Sequence, residues 1–446
     1  MARYFGTDGI RGRAGEGKLA LSSLETMAKA IGAHFGVGSQ AAIAWDTRES
    51  GPDIRDALMR GLVAQGVDVI HMGVLPTPAC AFGVAHLNAD FGLMITASHN
   101  PWHDNGVKLF GPDGRKISDE AQEQIEELIA TALDQGVAAS EKRGSVDQND
   151  SIGESFAESL IKAFQSTGRS SLKGLKIVAD CANGAAFRVL PSVLKALGAE
   201  AHLIGVDPDG RNINADCGST HPEALSEAVT SNKADIGIAL DGDADRLILV
   251  DNTGAVIDGD QIIARLATDW RAAGYLKGDK VVSTVMSNLG LDHYLADLGL
   301  SLERTPVGDR HVAARMSEIG GNLGGEPSGH LLMTDYGPTG DGSLAALMVL
   351  SGLMEARQTS GEYLSVFETF PQLLKNVRYE GESPLSRSSV QEAIKKADEK
   401  LGADGRVLVR ASGTEPVIRV MAEARDPEIV STIVNELCDL IESAVI

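Results

Sequence analysis

The sequence contains no apolar run long enough to cross a membrane. Its longest apolar stretch, LAALMVLSGLM at residues 344–354, is well short of the about 20 residues that a membrane helix needs. The chain opens with MARYFGTDGIRG, which reaches several glycines and an aspartate before an apolar run can form. We therefore expect neither a signal peptide nor a membrane span, and we predict that residues 344–354 form a buried helix.

Cysteine is scarce and widely separated. The 446 residues include four cysteines, Cys80, Cys181, Cys217 and Cys438, with no CxxC pair and no histidine at zinc-binding spacing. This pattern indicates neither a disulfide framework nor a zinc site. We therefore expect a reducing, cytoplasmic location.

Basic residues are outnumbered by acidic ones. The chain has 40 lysines and arginines against 62 aspartates and glutamates, and its formal net charge is −22. Nucleic acids and anionic membrane surfaces are bound by basic patches, so the composition disfavours both as partners. A ligand that carries phosphate would need basic residues concentrated at one place in this acidic chain.

Short apolar runs of strand type alternate with longer helical patterns through most of the chain. An example is AAIAW at residues 41–45, followed by GPDIRDALMRGLVAQG at 51–66 and VDVIHMG at 67–73. Such alternation is typical of α/β domains with parallel or mixed sheets. A polar stretch of small residues at 136–155 is predicted to be a linker.

The length corresponds to about three or four domains of ordinary size. We predict α/β domains with mixed sheets and a smaller α+β C-terminal domain. Their boundaries are placed at residues 1–150, 151–253, 254–368 and 369–446. In three places an apolar run ends in a polar or glycine-rich loop, at GLMITASHNP, IGIALDGDAD and GGNLGGEPSGH. Ligands of α/β proteins gather at the carboxyl ends of strands, so these loops are candidates to line one site.

The stretch ALDGDADRLILV places Asp241, Asp243 and Asp245 at alternate positions between two apolar strands. Alternation along an extended chain directs all three carboxylates to one side, where they would repel one another without a cation. An EF-hand is excluded because its sixth and twelfth positions would be Arg246 and Asn252. Mg²⁺ suits the loop best, since it takes few protein carboxylates and completes its shell with water and phosphate.

Two alternatives remain open at this loop. An isolated aspartate-rich loop is often only a solvated acidic turn. Arg246, next to the cluster, is suited either to holding a phosphate beside the ion or to balancing the aspartates structurally.

Ser98 follows the predicted buried strand FGLMIT in the stretch ITASHNPWHDNGVKLF. No Gly-x-Ser-x-Gly elbow surrounds it, and an extended backbone would send the His99 side chain to the opposite face. Phosphoryl transfer needs alignment and charge neutralisation more than a strong base, and Lys108 on the returning strand provides charge. From this loop alone an ordinary turn hydroxyl is the favoured interpretation, and the aspartate loop elsewhere in the chain is what supports Ser98 as a phosphate carrier.

Two further loops are rich in ligand-binding groups. VLVRASGTEPVIRV gathers five donors suited to a phosphate, from Arg410, Ser412, the backbone N–H of Gly413, Thr414 and Arg419. The alternative there is a hairpin with surface arginines.

The other loop, GGEPSGH, offers Glu326 and Ser328 for hydroxyl recognition and His330 for proton exchange. Its alternate spacing predicts that these three side chains share one face, although a Glu-Pro turn is equally ordinary.

Taken together, these motifs resemble the alpha-D-phosphohexomutase superfamily. The resemblance covers essentially the whole chain, in the family's order, at YFGTDGIRG (4–12), TASHNP (96–101), DCANGA (180–185), DGDADR (241–246), TPVGDR (305–310), GEPSGH (325–330) and RASGTEP (410–416). YFGTDGIRG and PDGRNINADCGST (208–220) are similar to the amino-sugar branch of that family.

The resemblance implies four domains around a central cleft, the first three of similar α/β build and the last a smaller, mobile one. It also implies an isomerase that interconverts glucosamine 6-phosphate and glucosamine 1-phosphate. It implies a phosphoserine enzyme, a glucosamine 1,6-bisphosphate intermediate and a place in the synthesis of UDP-N-acetylglucosamine and cell-wall precursors. Glucosamine or glucose 1,6-bisphosphate is the implied primer, and a homodimer through the first domain is the implied assembly.

The resemblance also implies roles for residues, carried over by position. Ser98 would be the phosphoserine and, with Asp241, Asp243 and Asp245, would hold one Mg²⁺ per subunit. Charge and proton transfer would fall to Arg11, Lys108 and His330, and the hexosamine phosphate would be bound by Arg246, Glu326, Ser328, Arg410, Ser412, Gly413, Thr414 and Arg419. Two positions depart from the family pattern: Ala244, where glycine is usual, and Pro327, where a polar residue is common.

Three other functions remain open. Within the same class the substrate could be a neutral hexose phosphate of glucose or mannose. A metal-dependent phosphatase would use the same serine and aspartates, although hydrolysis does not require a second phosphate site. The third alternative is a protein that binds sugar phosphates without catalysis.

Overall fold

The computed structural model describes residues 4–6, 8–412 and 416–444. Two compact units are present. The larger comprises Met1–Met286 and Glu303–Val366, and the smaller comprises Ser287–Leu302 and Phe367–Ile446.

The first six strands form one mixed sheet in the order β1-β5-β4-β2-β3-β6. The strands are β1 (Ile10–Arg13), β2 (Gln40–Trp45), β3 (Asp68–Val74), β4 (Phe91–Ile95), β5 (Asp104–Phe110) and β6 (Val146–Gln148). Its helices are α1 (Leu21–Phe35), α2 (Gly51–Ala64), α3 (Thr77–His86) and α4 (Asp119–Gln135). β4 is buried along its whole length, as expected for an apolar strand covered on both faces. It runs parallel to β2 and antiparallel to β5, so residue 98 emerges at its carboxyl end.

The second sheet has the order β11-β10-β9-β7-β8. It consists of β7 (Lys176–Asp180), β8 (Glu200–Ile204), β9 (Ile236–Leu240), β10 (Leu247–Asp251) and β11 (Val256–Ile257), with helices α5 (Ile152–Ser166), α6 (Val189–Ala196) and α7 (Glu223–Asn232). β9 is fully buried, runs parallel to β7 and pairs antiparallel with β10. The aspartate loop is therefore the connection between β9 and β10.

The third sheet has the order β13-β12-β14-β15. Its elements in chain order are α8 (Gly259–Ala273), β12 (Lys280–Thr284), α9 (Leu289–Asp297), β13 (Ser301–Thr305), α10 (Asp309–Ile319), β14 (Leu323–Gly325), β15 (Leu331–Met333), α11 (Gly342–Ala356) and α12 (Ser360–Leu364). β14 is parallel to β12 and antiparallel to β15, so the GEPSGH loop also leaves the carboxyl end of a strand.

The smaller unit contains an antiparallel sheet of order β16-β18-β17. It is formed by β16 (Gln372–Arg378), β17 (Gly405–Ala411) and β18 (Val417–Ala424), with helices α13 (Ser388–Leu401) and α14 (Pro427–Ser443). Segment 287–302, which includes α9, belongs to the same unit. There the Asn288 amide donates to Phe370 O at 2.9 Å and accepts from Phe370 N at 3.0 Å.

The sequence predictions for individual segments have mixed outcomes. The buried strand at FGLMIT and the buried helix at residues 344–354 are confirmed by β4 and α11. The linker prediction for residues 136–155 is wrong in part, because β6 and the start of α5 lie within it. β6 pairs with β3 through backbone groups while its own side chains are exposed, so no apolar pattern marks it. Within the part of the chain that the structure describes, no helix is both long and apolar enough to span a membrane.

Candidate active site

Three loops of the larger unit meet at one place. The Ser98 hydroxyl, after β4, donates to Asp241 Oδ2, after β9, at 2.6 Å. The loop after β14 pairs with the aspartate loop through the backbone. Leu247 N donates to Gly329 O at 2.9 Å, and Arg246 and His330 form an isolated antiparallel β-bridge. The expectation that these three loops come together is confirmed.

The three aspartates converge through a turn. Ala244 N donates to Asp241 O at 3.0 Å, and Ala244 has a left-handed φ of 58°. All three side chains are buried, and one carboxylate oxygen of each lies within 4.8 Å of the others. The prediction that the three carboxylates converge is confirmed. The backbone of the loop forms a turn, however, and not the extended chain that was expected.

Two glycines allow the loops to pack backbone against backbone. A Cβ on Gly242 would lie 2.6 Å from Ser98 O, and one on Gly184 would lie 2.4 Å from Gly242 O. Contacts this short leave no room for any side chain. Both glycines stand in motifs that were visible in the sequence, DGDADR and DCANGA.

Lys108 lies inside the aspartate cluster. Its Nζ lies 2.8 Å from Asp243 Oδ2 and 2.9 Å from Asp245 Oδ2, and its side chain is buried. The prediction that Lys108 returns from β5 toward the loops is therefore confirmed. Burial opposes its charge, but Asp243, Asp245 and Asp8 raise the pKa of Lys108 well above its usual value.

The aspartates differ in their preference for a proton. Burial, together with Asp245 and Asp243, raises the pKa of Asp241 well above its usual range. Burial acts in the same direction on Asp245, but Lys108 and His330 hold the pKa of that carboxyl well below its usual range. Asp243 Oδ1 is buried and has no hydrogen-bond partner among the described residues, so the cluster fits an additional cation.

Ser98 has a left-handed backbone with φ of 52°. For this reason the prediction that His99 points away from Ser98 is wrong: its Nδ1 lies 3.2 Å from the Ser98 Oγ. Burial, together with Arg246 and Arg11, lowers the pKa of His99 to about 4. His99 is therefore neutral at pH 7, and Ser98 lies between an uncharged imidazole and a buried carboxylate.

Two arginines at the site keep unused donors. Arg11 in β1 pairs with Asp8, and the backbone N of Arg246 donates to Asp241 Oδ1 at 3.2 Å. The Nε atoms of both arginines are buried and find no acceptor within residues 4–6, 8–412 and 416–444. A buried, unpaired guanidinium N–H is costly, and an anionic ligand would satisfy it.

His330 is buried between two carboxylates. Its Nδ1 lies 3.5 Å from Asp245 Oδ1 and its Nε2 lies 3.3 Å from Asp309 Oδ2. Burial works against the charged ring, but Asp245 and Asp309 raise the pKa of His330 to about 9. The imidazolium form therefore predominates at neutral pH.

Sequence reasoning assigned no role to the residues behind His330. Lys116 Nζ contacts both carboxylate oxygens of Asp309, at 2.6 and 2.7 Å, and also binds Asp8. Asp8 and Asp309 stand in the motifs YFGTDGIRG and TPVGDR, so the signal was present, but it did not show what they contact.

The GEPSGH loop does not present one face. Gly329 N donates to Glu326 O at 3.0 Å and closes a turn, so Ser328 is exposed whereas His330 is buried. The alternate-spacing prediction is wrong for this reason. Glu326 Oε1 accepts from Gly308 N at 3.0 Å, which fixes the carboxylate next to the TPVGDR loop.

The predicted phosphate loop lies in the smaller unit. Arg410 in β17 and Arg419 in β18 are directly opposite in the antiparallel pair. Burial and the neighbouring Arg419 lower the pKa of Arg410. Ser412 N donates to Val417 O at 2.7 Å at the end of this pair. Gly413 and Thr414, which complete the prediction, lie outside the described residues.

Four family models match the chain in sequence order. They are phosphoglucomutase/phosphomannomutase alpha/beta/alpha domain I at residues 2–136, domain II at 154–254, domain III at 258–370 and the C-terminal domain at 374–440. The chain therefore belongs to the phosphoglucomutase/phosphomannomutase family and is an isomerase of the phosphohexomutase type. The predicted fold class, three α/β domains followed by a smaller C-terminal domain with an antiparallel sheet, is confirmed.

Curated relatives within this family are phosphoglucosamine mutases. One from Gluconacetobacter diazotrophicus is 50% identical over 444 residues, which cover 99% of this chain and 98% of the relative. Another, from Caulobacter vibrioides, is 48% identical over 445 residues and covers 99% of both chains.

Solved structures give the same fold. A phosphoglucomutase/phosphomannomutase family protein from Burkholderia thailandensis is 25% identical with a TM-score of 0.81, covering 100% of this chain and 98% of that one. Aspergillus fumigatus N-acetylphosphoglucosamine mutase, solved with GlcNAc-6P and magnesium, is 20% identical with a TM-score of 0.70, covering 99% and 96%. The second likeness concerns the fold alone.

Proposed function

We propose that this chain is a phosphoglucosamine mutase that interconverts glucosamine 6-phosphate and glucosamine 1-phosphate. The observation that carries the proposal is the Ser98 hydroxyl, 2.6 Å from Asp241 in a cluster of three buried carboxylates. Relatives about half identical over nearly their whole length carry the same name. The neutral hexose phosphates of glucose and mannose remain the alternative substrates.

Ser98 is proposed to carry the phosphoryl group, giving it to the free hydroxyl of the sugar phosphate and receiving the other phosphate of the resulting bisphosphate. Asp241, Asp243 and Asp245 would hold one Mg²⁺ per subunit, together with the seryl phosphate. The unpartnered Asp243 Oδ1 and the convergence of three buried carboxylates, with one oxygen of each within 4.8 Å of the others, support this assignment. When bound, the ion would neutralise phosphoryl charge and help to align the reacting groups.

Basic groups around Ser98 are proposed to bind the transferring phosphate. Arg11 and Arg246 each have a buried Nε–H with no acceptor in the described parts of the chain. Lys108 would supply further charge beside the aspartates. These groups concentrate positive charge at one place in a chain of net charge −22, as a phosphate ligand requires.

His330 is the proposed proton donor to the sugar oxygen. The sugar oxygen needs a proton when it is released, as the bisphosphate returns a phosphate to Ser98. Burial opposes the charged ring, but Asp245 and Asp309 raise the pKa of His330 to about 9, so at neutral pH the ring carries that proton. Asp309, held by Lys116, would keep the ring in orientation. Glu326 and Ser328 are proposed to contact sugar hydroxyls, and the bond from Gly308 N fixes the Glu326 carboxylate in place.

The smaller unit is proposed to supply a second phosphate-binding site. Like charges directly opposite each other destabilise a strand pair, yet Arg410 and Arg419 stand in that relation. A bound phosphate would offset their repulsion, with Ser412, Gly413 and Thr414 adding donors. Such a site would let the sugar bisphosphate bind in either of its two orientations, and glucosamine or glucose 1,6-bisphosphate would serve as primer.

We expect Arg419→Gln to raise the KM for the sugar phosphate about tenfold or more, because a guanidinium bond to phosphate is charge-assisted. The kcat should change less, since Arg419 contacts none of the reacting groups in this proposal. Steady-state kinetics measure both values. Arg378→Gln is the matched control: Arg378 lies in the same sheet, is exposed and pairs with Val417. An Arg419→Gln enzyme with the wild-type KM would exclude Arg419 from phosphate binding.

The proposed activity is tested by isomer exchange. The enzyme is supplied with Mg²⁺, a bisphosphate primer and, in turn, the 6-phosphates of glucosamine, glucose and mannose. We expect kcat/KM to be highest for glucosamine 6-phosphate. A preference for a neutral sugar would overturn the substrate assignment, and steady phosphate release equal to substrate loss would indicate a phosphatase instead.

Other properties remain proposals. We propose the domain boundaries at residues 1–150, 151–253, 254–368 and 369–446, a homodimer through the first domain and a cytoplasmic location. The net charge of −22 supports the absence of nucleic-acid and membrane-surface partners. Light scattering of the purified protein would test the dimer.

A further inference from the structure

Two side chains from other loops donate hydrogen bonds to the backbone of the Ser98 turn. These are Arg48, just beyond β2, and Asn214, between β8 and α7. We call this pair the serine-loop clamp. Neither residue was singled out in the sequence.

Arg48 uses four of its five donors on this loop. Its side chain is 1% exposed, and its Nη2 donates to Ser98 O at 2.9 Å and to Asn100 O at 2.8 Å. The remaining donors bind Asp104 O at 3.1 Å, Pro101 O, and Asp46 Oδ2 at 2.9 Å. A guanidinium has five N–H groups in a fixed fork, and each has an acceptor here. This single side chain therefore fixes the path of residues 98–104.

Asn214 grips the same carbonyls from another loop. Its Nδ2 donates to Ser98 O at 2.9 Å and to Asn100 O at 3.1 Å, and the side chain is buried. The amide nitrogen has to face these carbonyls, because an amide oxygen offers no hydrogen. Asn214 itself is held by its backbone N, which donates to Ala182 O at 2.9 Å.

The clamp acts on a strained residue. Ser98 has a φ of 52°, and a non-glycine residue in the left-handed region costs about 1–2 kcal/mol. Such a conformation persists only where surrounding contacts determine it. It is also the conformation in which Oγ lies 2.6 Å from Asp241 Oδ2. The bonds to Ser98 O hold this residue from one side, and Ser98 N, which donates to Thr96 Oγ1 at 2.9 Å, holds it from the other.

We propose that Asn214, together with Arg48, is a positioning residue for phosphoryl transfer: it holds Ser98 in the left-handed conformation and so keeps its Oγ at the aspartate cluster. The inference rests on the proposed function of Ser98. In the structure Asn214 bonds to backbone oxygens of the loop and to none of the three aspartates. A small misplacement of a reacting group can lower a rate by about a hundredfold.

The test uses the full-length enzyme with Asn214→Gly. Asn214 has a φ of 57°, which glycine adopts freely, so the substitution removes the two hydrogen bonds and keeps the backbone. We expect kcat to fall about 10- to 100-fold while the KM for the sugar phosphate stays within about twofold. The Mg²⁺ dissociation constant, measured calorimetrically, should stay within the same limit. A general structural defect would not produce this division between kcat and KM.

Asn212→Gly is the matched control, because it makes the same change two residues away. The Asn212 amide donates to Asp207 O at 3.0 Å and accepts from Asp209 N at 3.0 Å, both within its own loop. We expect its kcat and KM to match the wild type, and only its thermal midpoint to fall, because Asn212 has an ordinary negative φ at which glycine is destabilising.

Arg48→Lys provides an independent variant. It keeps the positive charge beside Asp46 but loses the planar fork, so the same fall in kcat at unchanged KM is expected. It also decides the matter if Asn214→Gly does not fold. A kcat within twofold of wild type in the folded variants would overturn the inference, as would an equal loss in Asn212→Gly. Wild-type enzyme that fails to exchange isomers would instead overturn the proposed function.

Discussion

Ser98→Ala is expected to abolish isomer exchange, with a loss of about a thousandfold or more, as for other residues that form a covalent intermediate. The substitution removes the oxygen that would carry the phosphoryl group, the Oγ that lies 2.6 Å from Asp241 Oδ2 and 3.2 Å from His99 Nδ1. The variant should also be isolated without the covalent phosphate that we expect on the wild-type enzyme. Primed exchange kinetics and intact-protein mass spectrometry measure the two effects.

Ser192→Ala is the control for this experiment. The Ser192 hydroxyl donates to Val189 O at 2.7 Å within its own helix, so its loss should leave both measurements unchanged. A Ser98→Ala enzyme that exchanges isomers at the wild-type rate would exclude Ser98 as the phosphate carrier. Covalent phosphate retained by that variant would place the modification elsewhere in the chain.

Asp243→Asn is expected to weaken Mg²⁺ binding about 100-fold or more and to lower kcat to a comparable extent, because a neutral amide replaces a charged oxygen ligand. The fold should tolerate the change. Asp243 Oδ2 is bonded by Thr77 Oγ1 at 2.6 Å and by Lys108 Nζ at 2.8 Å, and asparagine keeps one oxygen of similar position for such contacts. Calorimetric titration with Mg²⁺, without substrate, measures the affinity apart from the activity.

Asp235→Asn is the matched control, since Asp235 lies at the opposite end of β9 from the aspartate loop. It is exposed and accepts from Lys176 N at 2.7 Å. Its Mg²⁺ affinity should equal that of the wild type. Unchanged affinity in Asp243→Asn would show that the acidic cluster is not the metal site.

The elements that surround the site were predictable because local pattern determines them. β4 and β9 are short apolar runs buried on both faces, and each ends in a polar loop, so the places of Ser98 and of the three aspartates at the carboxyl ends of strands followed from local pattern. Lys108 followed from alternation along β5. In these cases neighbouring residues in the sequence carry the whole signal.

The features that sequence reasoning missed depend on distant partners. Ser98 adopts a left-handed backbone because Arg48 and Asn214, 50 and 116 residues away, bind its carbonyl, and so His99 lies beside the hydroxyl. Lys116 pairs with Asp309, 193 residues away. No sequence periodicity indicates such pairings. The prediction that the GEPSGH side chains share one face failed for a related reason, because alternation applies to extended chains and not to turns.

The attachment of residues 287–302 to the smaller unit matters for protein engineering. The family models assign these residues to the third domain, yet Asn288 is doubly bonded to Phe370, and Ser287 O accepts from Arg406 at 2.6 Å. A chimera that exchanges only the C-terminal domain between two relatives would join halves of one packing unit from different parents. The exchangeable module is instead discontinuous, and a graft that carries residues 287–302 along with residues 367–446 keeps its internal contacts intact.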